Sequence, residues 1–113
     1  MSKREPKLLF EDILECAEKI LRYTNHLTFE QFMRDELTMD AVIRNYEVIG
    51  EAANRLPDES KAKLPNLEWH KLKGFRNRLA HEYFGIDYDL VWKTKTKLLP
   101  ELISSIKNIL KNY

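Results

Sequence analysis

The sequence predicts an all-α fold, an antiparallel bundle of four to five helices in a single domain spanning residues 1–113. Apolar residues recur at spacings of three and four in several segments, which places them on one face of a helix. The chain has only 3 Gly and 4 Pro among 113 residues, too few for a loop-rich sandwich. A chain of this length can bury one core but not two.

The first helix is predicted over residues 7–25, where an apolar stripe is formed by Leu9, Ile13, Ala17, Ile20 and Thr24. Cys16 lies beside this stripe and is the only cysteine, so we expect a buried free thiol. Thr28 and Gln31 have the spacing of a capping box, in which each side chain bonds a free backbone N–H of the first turn. A short helix is therefore predicted to start there and to end near Asp35.

A third helix is indicated by a stripe that contains Val42, Tyr46, Ile49, Ala53 and Leu56. Pro57 should end it, because proline cannot continue the backbone hydrogen bonding. Gly50 within the helix predicts a close crossing with another helix, since glycine otherwise costs helix stability. A single turn is predicted after Asp58, ending at Pro65.

The fourth helix is predicted to begin at Asn66 as N-cap. Its stripe is Trp69, Leu72, Phe75 and Leu79, and Gly85 is placed to close it in a left-handed conformation. Asp87 is predicted to cap the last helix, which Pro100 should bend or break in two.

The net charge is only +1, so the whole molecule has no general attraction for a polyanion. The stretch from Trp69 to His81, however, contains two histidines, no carboxylate and four basic residues, Lys71, Lys73, Arg76 and Arg78. Such a segment can bind phosphates locally, and Lys73 and Arg78 are RNA-binding candidates. A solvated basic face without a ligand is the alternative.

Several classes of protein lack their sequence signature here. Cys16, His26, His70 and His81 are far apart and offer no short-spaced pair of metal ligands, so neither a metal nor a cofactor is expected. There is no glycine-rich phosphate loop and no nucleophile elbow. No apolar run has membrane-spanning length and the N-terminus is unlike a signal peptide, which predicts a cytoplasmic protein without membrane association.

Arg76, Asn77 and His81 suit metal-free cleavage of an RNA phosphodiester. A histidine can move a proton at a ribose 2′-hydroxyl or at the leaving oxygen, and an arginine can hold the phosphate. Asn77 could orient either partner. The products of such a reaction are a 2′,3′-cyclic phosphate and a free 5′-hydroxyl.

On an ideal helix, Arg76 and His81 are about 140° apart, whereas Asn77 and His81 share one face. Two copies of the fourth helix packed across a two-fold axis could bring Arg76 of one chain toward His81 of the other. A distorted helix end is the competing explanation. Tyr83 falls on the core stripe with Leu79, so it is either a core tyrosine or a residue freed by unwinding of the helix end.

The pattern Arg76-Asn77-x-x-x-His81-x-Tyr83 resembles the Arg-x4-His-x-Tyr motif of the HepT toxins, a subfamily of the HEPN-domain ribonucleases. Residues 43–52, 69–76 and 87–92 also resemble that subfamily, so the likeness covers nearly the whole chain. The resemblance implies a homodimeric HEPN-like bundle that cleaves RNA, such as tRNA or mRNA, across its dimer interface. It also implies a nucleotidyltransferase antitoxin, called MntA, that silences the toxin by adding AMP to the motif tyrosine, here Tyr83.

The resulting hypothesis is a metal-independent endoribonuclease toxin of a type VII-like toxin–antitoxin system, dimeric through the fourth helix. Two alternatives remain at this stage. One is a non-catalytic helical module that partners a nucleotidyltransferase. The other is an RNA-binding adaptor, which would bind RNA in a strongly salt-dependent way without cleaving it.

Overall fold

The computed structural model describes residues 4–74 and 86–113. Within these ranges the chain forms seven helical segments and no strand, which confirms the all-α class. They are α1 (Pro6–Thr24), α2 (Phe29–Met33), α3 (Glu36–Arg55), α4 (Asp58–Lys61), α5 (residues 69–74, up to the end of the first range), α6 (Tyr88–Lys97) and α7 (Leu99–Leu110). The predicted number of four to five helices was wrong, because the single turn after Asp58 forms the separate helix α4 and the last helix is divided into α6 and α7. Pro100 lies in the first turn of α7, so of the two outcomes predicted for it, a bend or a break, the break is confirmed.

The core is centred on α1, which packs against both α3 and α7. All five residues of its predicted stripe are buried. Thr24 is accommodated in the core because its hydroxyl donates to the carbonyl oxygen of Ile20 at 2.6 Å. Cys16 is a buried free thiol, as expected, and burial raises its pKa to about 11. No helix in the described ranges is both long and apolar enough to cross a membrane.

The predicted end signals of α2 and α3 are confirmed. In the capping box, the backbone N–H of Gln31 donates to Thr28 Oγ1 at 3.1 Å, and that of Thr28 donates to Gln31 Oε1 at 2.9 Å. Helix α3 ends at Arg55, with Leu56 as its C-cap directly before Pro57. Gly50 is buried on α3, and the close helix crossing expected there stays a prediction.

Aromatic side chains join α6 to α2. The Phe32 side chain is fully buried, and its ring centroid lies 5.0 Å from that of Trp92 and 6.1 Å from that of Tyr88. Phe29 adds a third contact, at 5.8 Å from Trp92. These rings fix the first half of α6, and therefore the point where the chain returns from residues 75–85.

Candidate functional site

The predicted catalytic residues, Arg76, Asn77 and His81, lie outside the described residues. So do Tyr83, the expected site of modification, and the RNA-binding candidate Arg78. The predicted closure of the fourth helix near Gly85 falls in the same segment. Lys73 is described and is exposed on the last described turn of α5. The structure therefore defines the site through the two stretches of chain that lead into and out of the motif.

Both stretches meet at one recess between the start of α5 and α6. Gly74 and Ile86, the described residues on either side of the motif segment, both line it. Its volume is about 620 Å³, within the ~300–1,000 Å³ typical of ligand sites. Part of the lining is apolar, including Val91 and Leu98. The lining residues with an acidic, basic or imidazole side chain are Glu68, His70, Lys71, Asp87, Lys93, Lys97 and Glu101. The motif segment thus begins and ends at the same mixed surface.

Ion pairs neutralise part of the charge around this recess. Lys71 Nζ lies 2.6 Å from Glu68 Oε2, and this contact lowers the pKa of the Glu68 carboxyl. Lys93 Nζ lies 2.9 Å from Asp89 Oδ2. Lys97 is exposed and has no ion-pair partner within residues 4–74 and 86–113. Among the described lysines that line the recess, Lys97 is therefore the one that an anion could contact without displacing an ion-pair partner.

Trp69 anchors the chain as it enters the site. Its indole Nε1 donates to the carbonyl oxygens of Lys61 at 3.1 Å and Leu64 at 3.2 Å. Its ring centroid lies 6.5 Å from that of Phe10 on α1. Because the indole is held both by hydrogen bonds and by ring packing, the first turn of α5 is fixed against α4 and α1.

The expected role of Asn66 as the N-cap of this helix was wrong. Residues 65–68 are not helical, and helical structure begins at residue 69. The carbonyl oxygen of Glu68 accepts from the N–H groups of Lys71 and Leu72. The Asn66 side-chain amide instead donates to Glu101 Oε1 at 3.2 Å and to Ser105 Oγ at 3.3 Å. Because the Asn66 amide is hydrogen-bonded to residues of α7, it connects the segment before α5 to the last helix.

Two hydrogen bonds fix the chain as it leaves the site. Asp87 caps α6, as predicted, by accepting from the Leu90 N–H at 3.1 Å. Deeper in the fold, the Tyr46 hydroxyl donates to the carbonyl oxygen of Val91 at 3.2 Å. Burial of this hydroxyl raises the pKa of Tyr46 far above its ordinary value, so it stays protonated and remains a donor.

Asp87→Ala should lower the free energy of unfolding by about 1 kcal/mol, because it leaves the first turn of α6 without its side-chain acceptor. Chemical denaturation measures this loss. Asp87→Asn is the matched control and should retain most of the stability, since asparagine caps about as well as aspartate. Equal destabilisation by both substitutions would contradict a capping role for this side chain.

Lys61 is a residue near the site that the sequence did not single out. It ends α4, and its backbone carbonyl is one of the two acceptors for Trp69. Burial lowers the pKa of its ammonium group first, and the positive charge of Lys73 lowers it further. The single turn predicted after Asp58 was the available signal, but it could not show that the carbonyl oxygen of Lys61 accepts from Trp69.

Both described histidines, His26 and His70, are exposed. Glu51 lies 3.1 Å from Arg55 in an ion pair within α3. Within the described ranges, no group of three or more His, Cys, Asp or Glu residues could hold a metal ion.

The fold and the sequence define the class of protein. It is an all-helical domain with an Arg- and His-containing segment, residues 75–85, between α5 and α6. Comparison with known families makes the class specific. A family model described as Ribonuclease HepT-like matches residues 13–109, and the chain belongs to this family. The matched range includes all of Arg76 to Tyr83, so the resemblance noted in the sequence is confirmed at the level of the family.

Several curated relatives match over nearly their whole length. "Putative RNase MJ0127" of Methanocaldococcus jannaschii is 38% identical over 99% of this chain and 93% of the relative. "Probable ribonuclease HepT" of Thermococcus cleftensis is 38% identical over 96% of this chain and 99% of the relative. "Putative RNase TTE0752" of Caldanaerobacter subterraneus is 36% identical over 95% of this chain and 96% of the relative. No solved structure matches the chain.

Proposed function

We propose that this protein is a metal-independent endoribonuclease toxin whose reaction is carried by Arg76, Asn77 and His81. The observation that carries the proposal is the family match over residues 13–109, which spans the whole motif. The names of the relatives, which describe ribonucleases, support the same activity. The recess that receives both ends of the motif segment supports a single site there.

The proposed reaction is an intramolecular transesterification followed by release of the downstream strand. The ribose 2′-oxygen attacks the adjacent phosphorus as its proton is removed, and the bond from phosphorus to the 5′-oxygen breaks. His81 transfers a proton at one of these oxygens, and Arg76 stabilises the negative charge that accumulates on the phosphate. Asn77 orients one of the reacting groups. The upstream fragment ends in a 2′,3′-cyclic phosphate, and the downstream fragment begins with a 5′-hydroxyl.

The proposed active form is a homodimer that meets on the fourth helix. On an ideal helix the side chains of Arg76 and His81 leave the axis about 140° apart, so one helix presents them poorly to one phosphate. A two-fold interface places the same patch of both chains face to face. Each site would then combine Arg76 of one protomer with His81 of its partner.

The proposed regulator is an MntA-like nucleotidyltransferase antitoxin that adds AMP to Tyr83. The transfer joins the tyrosine oxygen to the α-phosphorus of ATP and releases pyrophosphate. The added phosphate places a negative charge two residues from His81, where it would repel an RNA phosphate. The toxin would be silenced without unfolding.

Co-expression with such an antitoxin should increase the intact mass of the protein by whole AMP units. Tyr83→Phe should abolish the increase, because the acceptor oxygen is missing. Tyr23→Phe is the control and should leave it unchanged. Suppressed cleavage without any gain in mass would contradict AMP transfer and favour inhibition by binding. A purified chain that never cleaves RNA would instead favour the non-catalytic module.

A further inference from the structure

Lys61 and Lys73 form a pair of like charges beside the entrance to the motif. The carbonyl of Lys61 bonds the indole of Trp69, and Lys73 follows Trp69 by one helical turn, on the same face of α5. The two side chains are close enough for the charge of Lys73 to lower the pKa of Lys61. Trp69 therefore holds α4 and α5 together in a way that concentrates positive charge.

Several other surface lysines have a carboxylate partner within the described residues. Lys19 lies 3.2 Å from Glu15, and Lys107 lies 3.4 Å from Glu18. Neither Lys61 nor Lys73 has an ion-pair partner in the part of the chain that the structure describes, and the charge of Asp58 offsets only part of the effect of Lys73 and burial on the pKa of Lys61. Lys61 is also partly buried, so its charge is less screened by water than that of a fully exposed lysine. An anion that binds both ammonium groups would relieve their mutual repulsion.

We propose that Lys61 and Lys73 bind backbone phosphates of the RNA strand, at a subsite distinct from the scissile phosphate at Arg76 and His81. This proposal rests on the proposed ribonuclease function and extends it to the path of the substrate. Lys73 precedes Arg76 by three residues, so even a fully extended chain keeps their Cα atoms within about 11 Å. A strand whose scissile phosphate lies at Arg76 is therefore within reach of Lys73, and Lys61 would extend the contact along the strand.

The test measures binding of a short fluorescein-labelled single-stranded RNA by anisotropy, as a function of salt concentration. All proteins carry His81→Ala so that the RNA stays intact. The single variants Lys61→Gln and Lys73→Gln and the double variant that carries both are measured. The control is the double variant Lys19→Gln/Lys107→Gln, which removes the same net charge at lysines that have ion-pair partners. Thermal denaturation verifies that every variant is folded, and Lys61→Arg tests whether keeping the positive charge at this position is enough to keep the salt dependence of binding.

Each lost phosphate contact should reduce the slope of log affinity against log salt by about 0.7, so the double variant should lose about 1.4. The charge-matched control should keep the original slope, as should Lys61→Arg. Equal slopes in the double variant and the control would overturn the proposal. So would the absence of RNA binding by the protein that carries only His81→Ala. Either result would also be expected if the two lysines bound an acidic protein partner instead of RNA.

The outcome is distinct from that of the proposed function. If the slope falls as expected while the protein with His81 intact leaves RNA uncut, the subsite stands and the ribonuclease assignment fails. If that protein cuts RNA while the slope is unaffected by Lys61→Gln and Lys73→Gln, the ribonuclease stands and the subsite fails. If Lys73→Gln reduces the slope and Lys61→Gln does not, the proposed role of Lys61 is wrong.

Discussion

His81→Ala is expected to lower the rate of RNA cleavage by about a hundredfold to ten-thousandfold, the usual contribution of a positioned proton-transfer group. Arg76→Ala should cost about as much, because removing a donor that stabilises transition-state charge commonly costs about a hundredfold to a thousandfold. The rate is measured under single-turnover conditions with purified protein. Both variants should keep their helical content by circular dichroism.

The chain offers matched controls for both substitutions. His26 is exposed beyond the end of α1 and Arg34 is exposed at the end of α2, so His26→Ala and Arg34→Ala should cleave RNA at the unsubstituted rate. Unchanged cleavage by His81→Ala and Arg76→Ala would remove both residues from the reaction. A loss shared equally by the controls would indicate a general effect of positive charge instead of specific chemistry.

Phe32→Ala should lower the free energy of unfolding by about 3–5 kcal/mol, the usual cost of deleting a fully buried phenyl group and leaving a cavity. The side chain is 0% exposed, and its ring contacts Trp92 and Tyr88. Part of the loss comes from these contacts between rings. Because they hold α6 against α2, cleavage activity should also fall at temperatures where the variant is still mostly folded. Denaturation in urea measures the stability.

Met33→Ala is the control for this prediction. The side chain is the next residue on α2 and is 42% exposed, so its truncation should cost well under 1 kcal/mol, as surface changes do. Similar losses for the two variants would contradict the assignment of Phe32 to the core. A large loss of stability in Phe32→Ala with full activity at low temperature would separate the packing of α6 from the chemistry.

Local signals in the sequence were enough to predict most helix ends. The capping box of Thr28 and Gln31, the stop at Pro57 and the cap at Asp87 each depend on neighbours within a few residues. The buried stripes of α1 and α3 follow from helical periodicity in the same way. Such features can be predicted from the sequence because the residues that interact lie close together along the chain.

Features that depend on distant partners could not be predicted in this way. Asn66 has a good capping side chain, yet its amide bonds Glu101 and Ser105 on α7. The placement of Lys61 beside Lys73 depends on the Trp69 indole reaching back to α4. These contacts join segments whose proximity is a property of the packed fold. The pairing of Arg76 with His81 across a dimer is of the same kind and stays a prediction.

The most direct test of the central claim is an assay of the purified, antitoxin-free protein on single-stranded RNA in the presence of excess EDTA. Our account predicts cleavage that survives the chelator, with 2′,3′-cyclic phosphate and 5′-hydroxyl termini identified by mass spectrometry of the fragments. The same preparation of His81→Ala should leave the RNA intact. RNA that remains intact with the unsubstituted protein, or cleavage that requires a divalent metal and leaves 5′-phosphate ends, would contradict it.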